Sequence, residues 1–166
     1  RVTTAGVTGI RAWVVAPWRT RLDLAQALVA DGCAVPDTAE REVRKLSGGL
    51  GADAVFDTVG GASTLRAALT MSREGGSVIL FAHAPENEVA DFDLNSLFKY
   101  ERRVLGSYSG GPREQARVFH LMCERRLDPA ALVRPRLPLS EFDRGVQLAR
   151  DRQAMKVVFV SSRDES

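Results

Sequence analysis

Short apolar runs alternate with amphipathic stretches along the first two thirds of the chain. The runs have the length of strands buried on both faces, and the stretches between them have the apolar spacing of helices. The predicted strands span residues 11–16, 33–35, 52–58, 77–82 and 103–108. The predicted helices span residues 18–30, 39–46, 63–71 and 94–99. This alternation predicts βαβ units and a parallel sheet.

Glycines and polar residues set the predicted ends of these helices. Gly32 is expected to end the first helix, Asp37 or Thr38 to cap the second, and Gly75-Gly76 to end the third. Beyond residue 110 the pattern changes. It predicts a helix over 113–126, an apolar segment over 132–139, a helix over 141–151, a strand over 156–160 and a disordered tail.

The composition narrows the class of protein. Of the 166 residues, 45% are hydrophobic and 27% charged, which is enough apolar material for a core. The 23 basic and 21 acidic residues nearly balance, so no strong charge favours a nucleic-acid or membrane partner. Two cysteines, Cys33 and Cys123, indicate a reducing, cytoplasmic location rather than a disulfide framework.

Several short motifs follow one another in a recognisable order. They are GADAVFDTVGG at 51–61, GGSVILFA at 75–82, DLN at 93–95, LGSY at 105–108, RLDP at 126–129, PL at 138–139 and MKVV at 155–158. The ordered set resembles the medium-chain dehydrogenase/reductase family. The DLN and GSY pieces are most similar to its zinc-type alcohol, polyol and threonine dehydrogenases. The resemblance covers the C-terminal part of such enzymes only.

The resemblance implies an α/β fold with a Rossmann-like parallel sheet that lacks its first strand. Residues 1–110 would form a partial NAD(P)-binding domain, 111–160 a segment returning to an absent catalytic domain, and 161–166 a disordered tail. Gly6 and Gly9 do not have the spacing of the GxGxxG turn that follows the first strand. In the usual strand order 3-2-1-4-5-6, the missing strand belongs between 11–16 and 52–58. Those two strands would then either close on each other or remain apart.

The resemblance places the adenosine end of the cofactor after the first predicted strand. Ala16 stands where an acidic residue normally accepts the ribose hydroxyls. Alanine cannot bind these hydroxyls, and Arg19 and Arg21 could pair with a 2′-phosphate. NADP is therefore favoured over NAD. The alternative is that Arg21 stacks on adenine and Arg19 is merely solvated.

Further cofactor-binding residues follow the other strands. By resemblance they are Thr58, Val59, Gly60, Phe81, Ala82, His83, Ser107, Tyr108 and Ser109, with Lys156 reaching the pyrophosphate. Simpler interpretations remain open. In these interpretations, Gly60 marks an ordinary turn, His83 has a structural role, and Lys156 is a surface lysine.

The sequence predicts no catalytic residue and no metal ligand in this chain. Cys33, Cys123, His83 and His120 lack the spacing of a zinc site, whereas in the family zinc polarises the substrate oxygen. The resemblance implies an oxidoreductase that transfers hydride between an alcohol and a ketone or aldehyde with NADP or NAD. The chain alone is expected to be inactive.

Two other functions stay open at this point. One is a truncated, non-catalytic module for dimerisation or nucleotide binding, and the other is a different Rossmann-like enzyme such as a methyltransferase. The expected partners are a dinucleotide, a small alcohol or carbonyl substrate, and a second copy that pairs through the 103–108 strand, because exposed sheet edges need protection.

Overall fold

The computed structural model describes residues 10–28 and 30–161. The chain divides into two compact units, one spanning Arg11–Gln115 and the other containing the residues from Ala116 onward. Among the described residues, none of the helices combines the length and the hydropathy that a membrane-spanning helix needs.

The first unit alternates strands and helices, as the hydrophobic pattern predicts. Its strands are β1 (Trp13–Val15), β2 (Gly32–Ala34), β3 (Ala52–Asp57), β4 (Ser72–Leu80) and β5 (Arg103–Gly106). Its helices are α1 (Arg19–Leu28), α2 (Pro36–Leu46), α3 (Ala62–Met71) and α4 (Asn95–Phe98), and α5 (Pro112–Cys123) runs into the second unit.

All the strands of the first unit pair in parallel, but they form two sheets. β1 pairs with β2, and β3, β4 and β5 form a three-stranded sheet in that order. Within the described residues, β1 does not pair with β3. The predicted Rossmann-like parallel fold is therefore confirmed. Among the residues that the structure describes, no strand lies between β1 and β3, and these two strands have not closed on each other. Gly6 and Gly9 lie outside the described residues.

One face of the three-stranded sheet carries the core. Val55, Val78 and Val104 are partners across the three strands and so share a face, and Val78 is fully buried. Helix α3 covers this face with Leu65, Ala68 and Leu69. Because side chains alternate along a strand, the next row points the other way. That row is Phe56, Ile79 and Leu105.

The predicted start of α2 is wrong. The helix begins at Pro36, and Val35 precedes it in an extended conformation, whereas Asp37 and Thr38 lie inside the first turn. Proline suits the first helical position because its fixed φ is already helical and its missing N–H would have no helical partner there. Asp37 instead complements the positive end of the helix.

The predicted roles of two glycine sites are also wrong. Helix α3 ends at Met71, and Gly75-Gly76 lies within the long strand β4. Helix α1 ends at Leu28, and Gly32 is the first residue of β2. A Cβ atom on Gly32 would lie 2.0 Å from the Trp13 indole nitrogen, so this glycine is needed for packing rather than for a helix end.

The second unit contains a parallel pair, β6 (Arg136–Pro138) and β7 (Val158–Val160), with helix α6 (Phe142–Arg150) between them in sequence. Strand β6 was not predicted. The Phe142 and Phe159 rings lie 5.1 Å apart. The predicted helices 113–126 and 141–151 and strand 156–160 are present, with shorter bounds. The predicted disordered tail, apart from Ser161, falls outside the described residues.

Candidate functional site

The strands of the larger sheet end together at one edge. Asp57, Leu80 and Gly106 are aligned across β3, β4 and β5. The Phe81 N–H donates to the Asp57 carbonyl at 2.8 Å, and the Ser107 N–H donates to the Leu80 carbonyl at 3.0 Å. The turns that follow the three strands are thus neighbours. They contain nine of the predicted cofactor-binding residues, which are Thr58, Val59, Gly60, Phe81, Ala82, His83, Ser107, Tyr108 and Ser109.

A buried carboxylate shapes the turn after β3. Asp57 is only 6% exposed. Its Oδ1 accepts the N–H groups of Val59 at 2.9 Å and Gly60 at 3.0 Å, and its Oδ2 accepts the Thr64 hydroxyl at 2.8 Å. Asp57 therefore fixes both the turn and the start of α3. Asp57 is not among the residues predicted from the sequence to form the site. The available signal was an acidic residue at the end of an apolar strand, just before a Gly-Gly turn.

Gly60 brings the turns after β3 and β4 into contact. Its φ is +84°, and a Cβ atom there would lie 2.3 Å from the His83 carbonyl oxygen. Only glycine combines this conformation with so close an approach. The predicted importance of Gly60 therefore has a steric basis in this structure, whatever the turn binds.

The turns after β4 and β5 meet through two rings. The His83 and Tyr108 centroids lie 5.5 Å apart with an interplanar angle of 85°, an edge-to-face contact. Tyr108 is 84% exposed, Val59 is also largely exposed, and Phe81 is about half exposed. The edge therefore offers an apolar and aromatic surface bordered by backbone polar groups, a composition typical of ligand sites.

The loop after His83 is tied to helix α3. A carboxylate oxygen of Glu88 accepts the Ala62 N–H at 2.8 Å at the start of the helix, where a negative charge is favourable. Arg66 donates to the Asp91 carbonyl at 3.3 Å. These bonds hold the loop that follows His83 against the helix.

The predicted adenosine-binding residues lie at the carboxyl end of β1. The Ala16 N–H donates to the Ala34 carbonyl at 3.2 Å, and Arg19 and Arg21 lie in the first turn of α1. The Arg21 guanidinium lies 4.6 Å from the centre of the Trp18 ring. The Arg19 Nε lies 3.2 Å from Asp23 Oδ1. Two cations thus lie at the positive end of one helix.

Lys156 belongs to the second unit. It is exposed and lies just before β7. Its contact with the cofactor pyrophosphate stays a prediction.

A second concave region lies at the opposite edge of the larger sheet. It has a volume of about 730 Å³, and three arginines line it. Arg44 pairs with Glu40 at 3.1 Å and Arg73 with Asp53 at 2.6 Å, and Arg102 donates to the Ser72 carbonyl at 3.1 Å. Each guanidinium group therefore has at least one partner in the protein, whereas the buried Arg102 Nε has no hydrogen-bond partner among the described residues.

The titratable groups do not form a metal site in the described ranges. No cluster of three or more His, Cys, Asp or Glu side chains there could hold a metal ion. Cys33 is half-buried and Cys123 is exposed. Burial, followed by the nearby Asp23 carboxylate, raises the pKa of the Cys33 thiol, and a hydrogen bond with the Gln26 backbone opposes this shift.

Comparison with protein families identifies the group to which this fold belongs. A family model described as zinc-binding dehydrogenase matches residues 2–124. The chain belongs to the zinc-binding dehydrogenase family. The predicted family resemblance is thereby confirmed. Membership also favours an oxidoreductase over the methyltransferase alternative.

Two curated dehydrogenases match part of their length. This chain is 27% identical over 129 residues to sorbitol dehydrogenase from Halalkalibacterium halodurans, a match that covers 74% of this chain and 36% of that enzyme. It is 28% identical over 120 residues to L-threonine 3-dehydrogenase from Bacillus subtilis, a match that covers 71% of this chain and 34% of that enzyme. The chain therefore spans about a third of the length of these relatives.

Solved structures agree on the fold. Alcohol dehydrogenase TADH from Thermus sp. ATN1 superposes with a TM-score of 0.83 at 29% identity, and the match covers 91% of this chain and 44% of that one. This zinc-binding dehydrogenase chain therefore has the fold of less than half of that enzyme.

Proposed function

We propose that this chain is the dinucleotide-binding part of an NAD(P)-dependent dehydrogenase that transfers hydride between an alcohol and a ketone or aldehyde. The observation that carries the proposal is the meeting of three turns at the carboxyl edge of a parallel sheet, where ligands of open α/β folds bind. Membership of the zinc-binding dehydrogenase family supports the class of reaction.

The residues at this edge fit a nicotinamide nucleotide. The Gly60 turn allows close approach of a ribose, and the exposed Val59, Phe81 and Tyr108 side chains suit the flat nicotinamide ring. Backbone groups of Ala82, His83 and the Ser107–Ser109 turn would hold its carboxamide. When bound, the dinucleotide supplies the hydride chemistry. The contribution of this chain is to bind the ring, orient it and exclude water from one face.

The described residues do not fit a zinc ion, because they contain no cluster of three suitable ligands. We therefore derive no step through a metal from this chain. The substrate pocket and any residue that polarises the substrate oxygen would be supplied by polypeptide beyond it. Alone, the 166-residue chain would bind cofactor without turning over alcohol.

The cofactor preference follows from the β1 end of the site. Replacing Ala16 with Asp should raise the affinity for NAD roughly tenfold, because a hydrogen bond to a charged group contributes about that much binding free energy. The same substitution should weaken NADP binding, because the carboxylate repels the 2′-phosphate. Calorimetric titration of each variant with both dinucleotides measures this. The Ala16→Asn variant is the matched control, because it offers a hydrogen bond without the charge and should not reject NADP. Equal affinity of the unaltered chain for NADP and NAD would contradict the preference.

The edge strand β5 supports the proposal of a homodimer. Within the described residues it pairs only with β4. Because the Ser107 N–H points to β4, the Gly106 N–H points to the free edge. Gly106→Pro should therefore abolish dimerisation in sedimentation experiments and leave the monomer folded. Gly106→Ala should still dimerise, since its Cβ would meet no described heavy atom within 4 Å. A dimer that survives Gly106→Pro would exclude this edge.

A further inference from the structure

The first turn of α1 has an unusual distribution of charge. It carries Arg19 and Arg21, and this described turn contains no acidic residue. The start of a helix is the positive end of its dipole, so cations there are unfavourable for helix stability. Helix stability therefore does not account for the arrangement.

The acidic residue that offsets this charge lies one turn further along. Asp23 Oδ1 accepts a hydrogen bond from Arg19 Nε at 3.2 Å, with the i,i+4 spacing of neighbours on one helix face. The two side chains are 88% and 62% exposed. Solvent and salt weaken such a pair, so a phosphate with two negative charges can compete with Asp23 for the guanidinium.

Arg21 is held differently from Arg19. Its guanidinium stacks over the Trp18 ring, 4.6 Å from the centroid. Stacking fixes the plane of the group and leaves N–H donors at its rim. The position of Arg21 is therefore set by an aromatic ring, whereas that of Arg19 depends on a carboxylate.

We infer that Asp23 is a positioning residue that limits the preference of this chain for a 2′-phosphorylated cofactor by holding Arg19 along the helix. The inference rests on the proposed function, in which the adenosine lies at the carboxyl end of β1. The 2′-phosphate must displace Asp23 before Arg19 can bind it in a bidentate manner. NAD, which lacks this phosphate, involves no such exchange.

A cysteine near Asp23 provides an independent check that the Asp23→Asn variant keeps its fold around α1. Cys33 Sγ donates to the Leu22 carbonyl at 3.4 Å, which joins β2 to the same helix. Asp23 adds to the burial that raises the pKa of this thiol. The Asp23→Asn variant should therefore lower the pKa of Cys33, measured by the pH dependence of thiol alkylation, if the fold around the helix is intact.

The test uses the 166-residue chain and two probes of the adenosine end, 2′,5′-ADP and 5′-AMP. In calorimetry at low salt, the Asp23→Asn variant should bind 2′,5′-ADP roughly three- to fivefold more tightly than the unaltered chain does. The effect is small because an exposed ion pair is weak. The affinity for 5′-AMP should not change. In an Arg19→Gln background the same substitution should have no effect. The matched control is Asp53→Asn, which removes the 2.6 Å pair with Arg73 at the opposite edge and should change neither affinity.

Three results would overturn the inference. If the Asp23→Asn substitution changed the affinity for both nucleotides equally, its effect would be on the structure of the site and not on binding of the 2′-phosphate. If Asp23→Asn raised the affinity for 2′,5′-ADP equally in the Arg19→Gln background, Asp23 would act by repelling the 2′-phosphate directly. It would then not act by positioning Arg19. Failure of both nucleotides to bind the unaltered chain would overturn the proposed function as well, whereas the first two results would leave it standing.

Discussion

Replacing Asp57 with alanine is expected to lower the free energy of unfolding of the chain by about 2–4 kcal/mol and to remove measurable dinucleotide binding. The buried carboxylate accepts the Val59 and Gly60 N–H groups and the Thr64 hydroxyl. The hydroxyl retains the Gly61 carbonyl as a partner at 2.9 Å, but the two amides lose theirs. Urea denaturation and calorimetry with NADP measure the two effects.

The matched control for this prediction is Asp57→Asn. Its amide oxygen can still accept the two backbone N–H groups, and its NH₂ group can donate to the Thr64 hydroxyl. We therefore expect the asparagine variant to lose less than about half of the stability lost by the alanine variant. An alanine variant as stable as the unaltered chain would show that Asp57 does not hold this turn.

The Gly60→Ala substitution is expected to weaken dinucleotide binding by at least roughly tenfold and to cost about 2–3 kcal/mol of stability. The new Cβ would lie 2.3 Å from the His83 carbonyl oxygen, and the residue would keep a φ of +84°. Both turns would have to move apart. The same calorimetric and urea titrations apply.

A second glycine separates the two causes of this effect. Gly48 also has a positive φ, +67°, but a Cβ there would meet no described heavy atom within 4 Å. Gly48→Ala should therefore cost only about 1 kcal/mol of backbone strain and leave dinucleotide binding unchanged. If the Gly60→Ala and Gly48→Ala variants had the same affinity for the dinucleotide, the close approach of Gly60 to His83 would have no role in the site.

The strands of the first unit were predictable because parallel strands appear in the sequence as short apolar runs. The expected burial of these strands on both faces is wrong, because Phe56 and Leu105 on the second face of the larger sheet are exposed. β3 and β5 follow this rule, and the place of the site follows from it, since parallel strands end at a common edge. Strand β6 was missed because Arg136-Leu137-Pro138 is three residues long and only Leu137 is buried. So short a pattern does not distinguish a strand from a loop.

The contacts that shape the site were not predictable from local patterns. Glu88 reaches the start of α3 from a position 26 residues away, and His83 meets Tyr108 only because β4 and β5 are neighbours. The capping prediction for α2 failed because Pro36 competes with Asp37 and Thr38 as a start signal. These features depend on tertiary packing, which hydrophobic periodicity does not encode.

The divided sheet explains why we expect cofactor affinity to be low in this chain. β1, with the adenosine-binding residues, and β3, which leads to the nicotinamide edge, are not joined by hydrogen bonds among the described residues. Each strand therefore has an edge whose polar groups need another partner. A dinucleotide would have to hold two sheets in register, and the cost of ordering them reduces its affinity.

The most direct test of the central claim is an NMR titration of the ¹⁵N-labelled chain with NADP. If the dinucleotide binds along the carboxyl edge, the amide signals of Ala16, Gly60, His83 and Ser107 should shift together with a single, weak dissociation constant. The signal of Gly75, at the opposite edge of the larger sheet, should stay in place. Shifts confined to the Gly75 edge, or no shift at saturating NADP, would contradict the account.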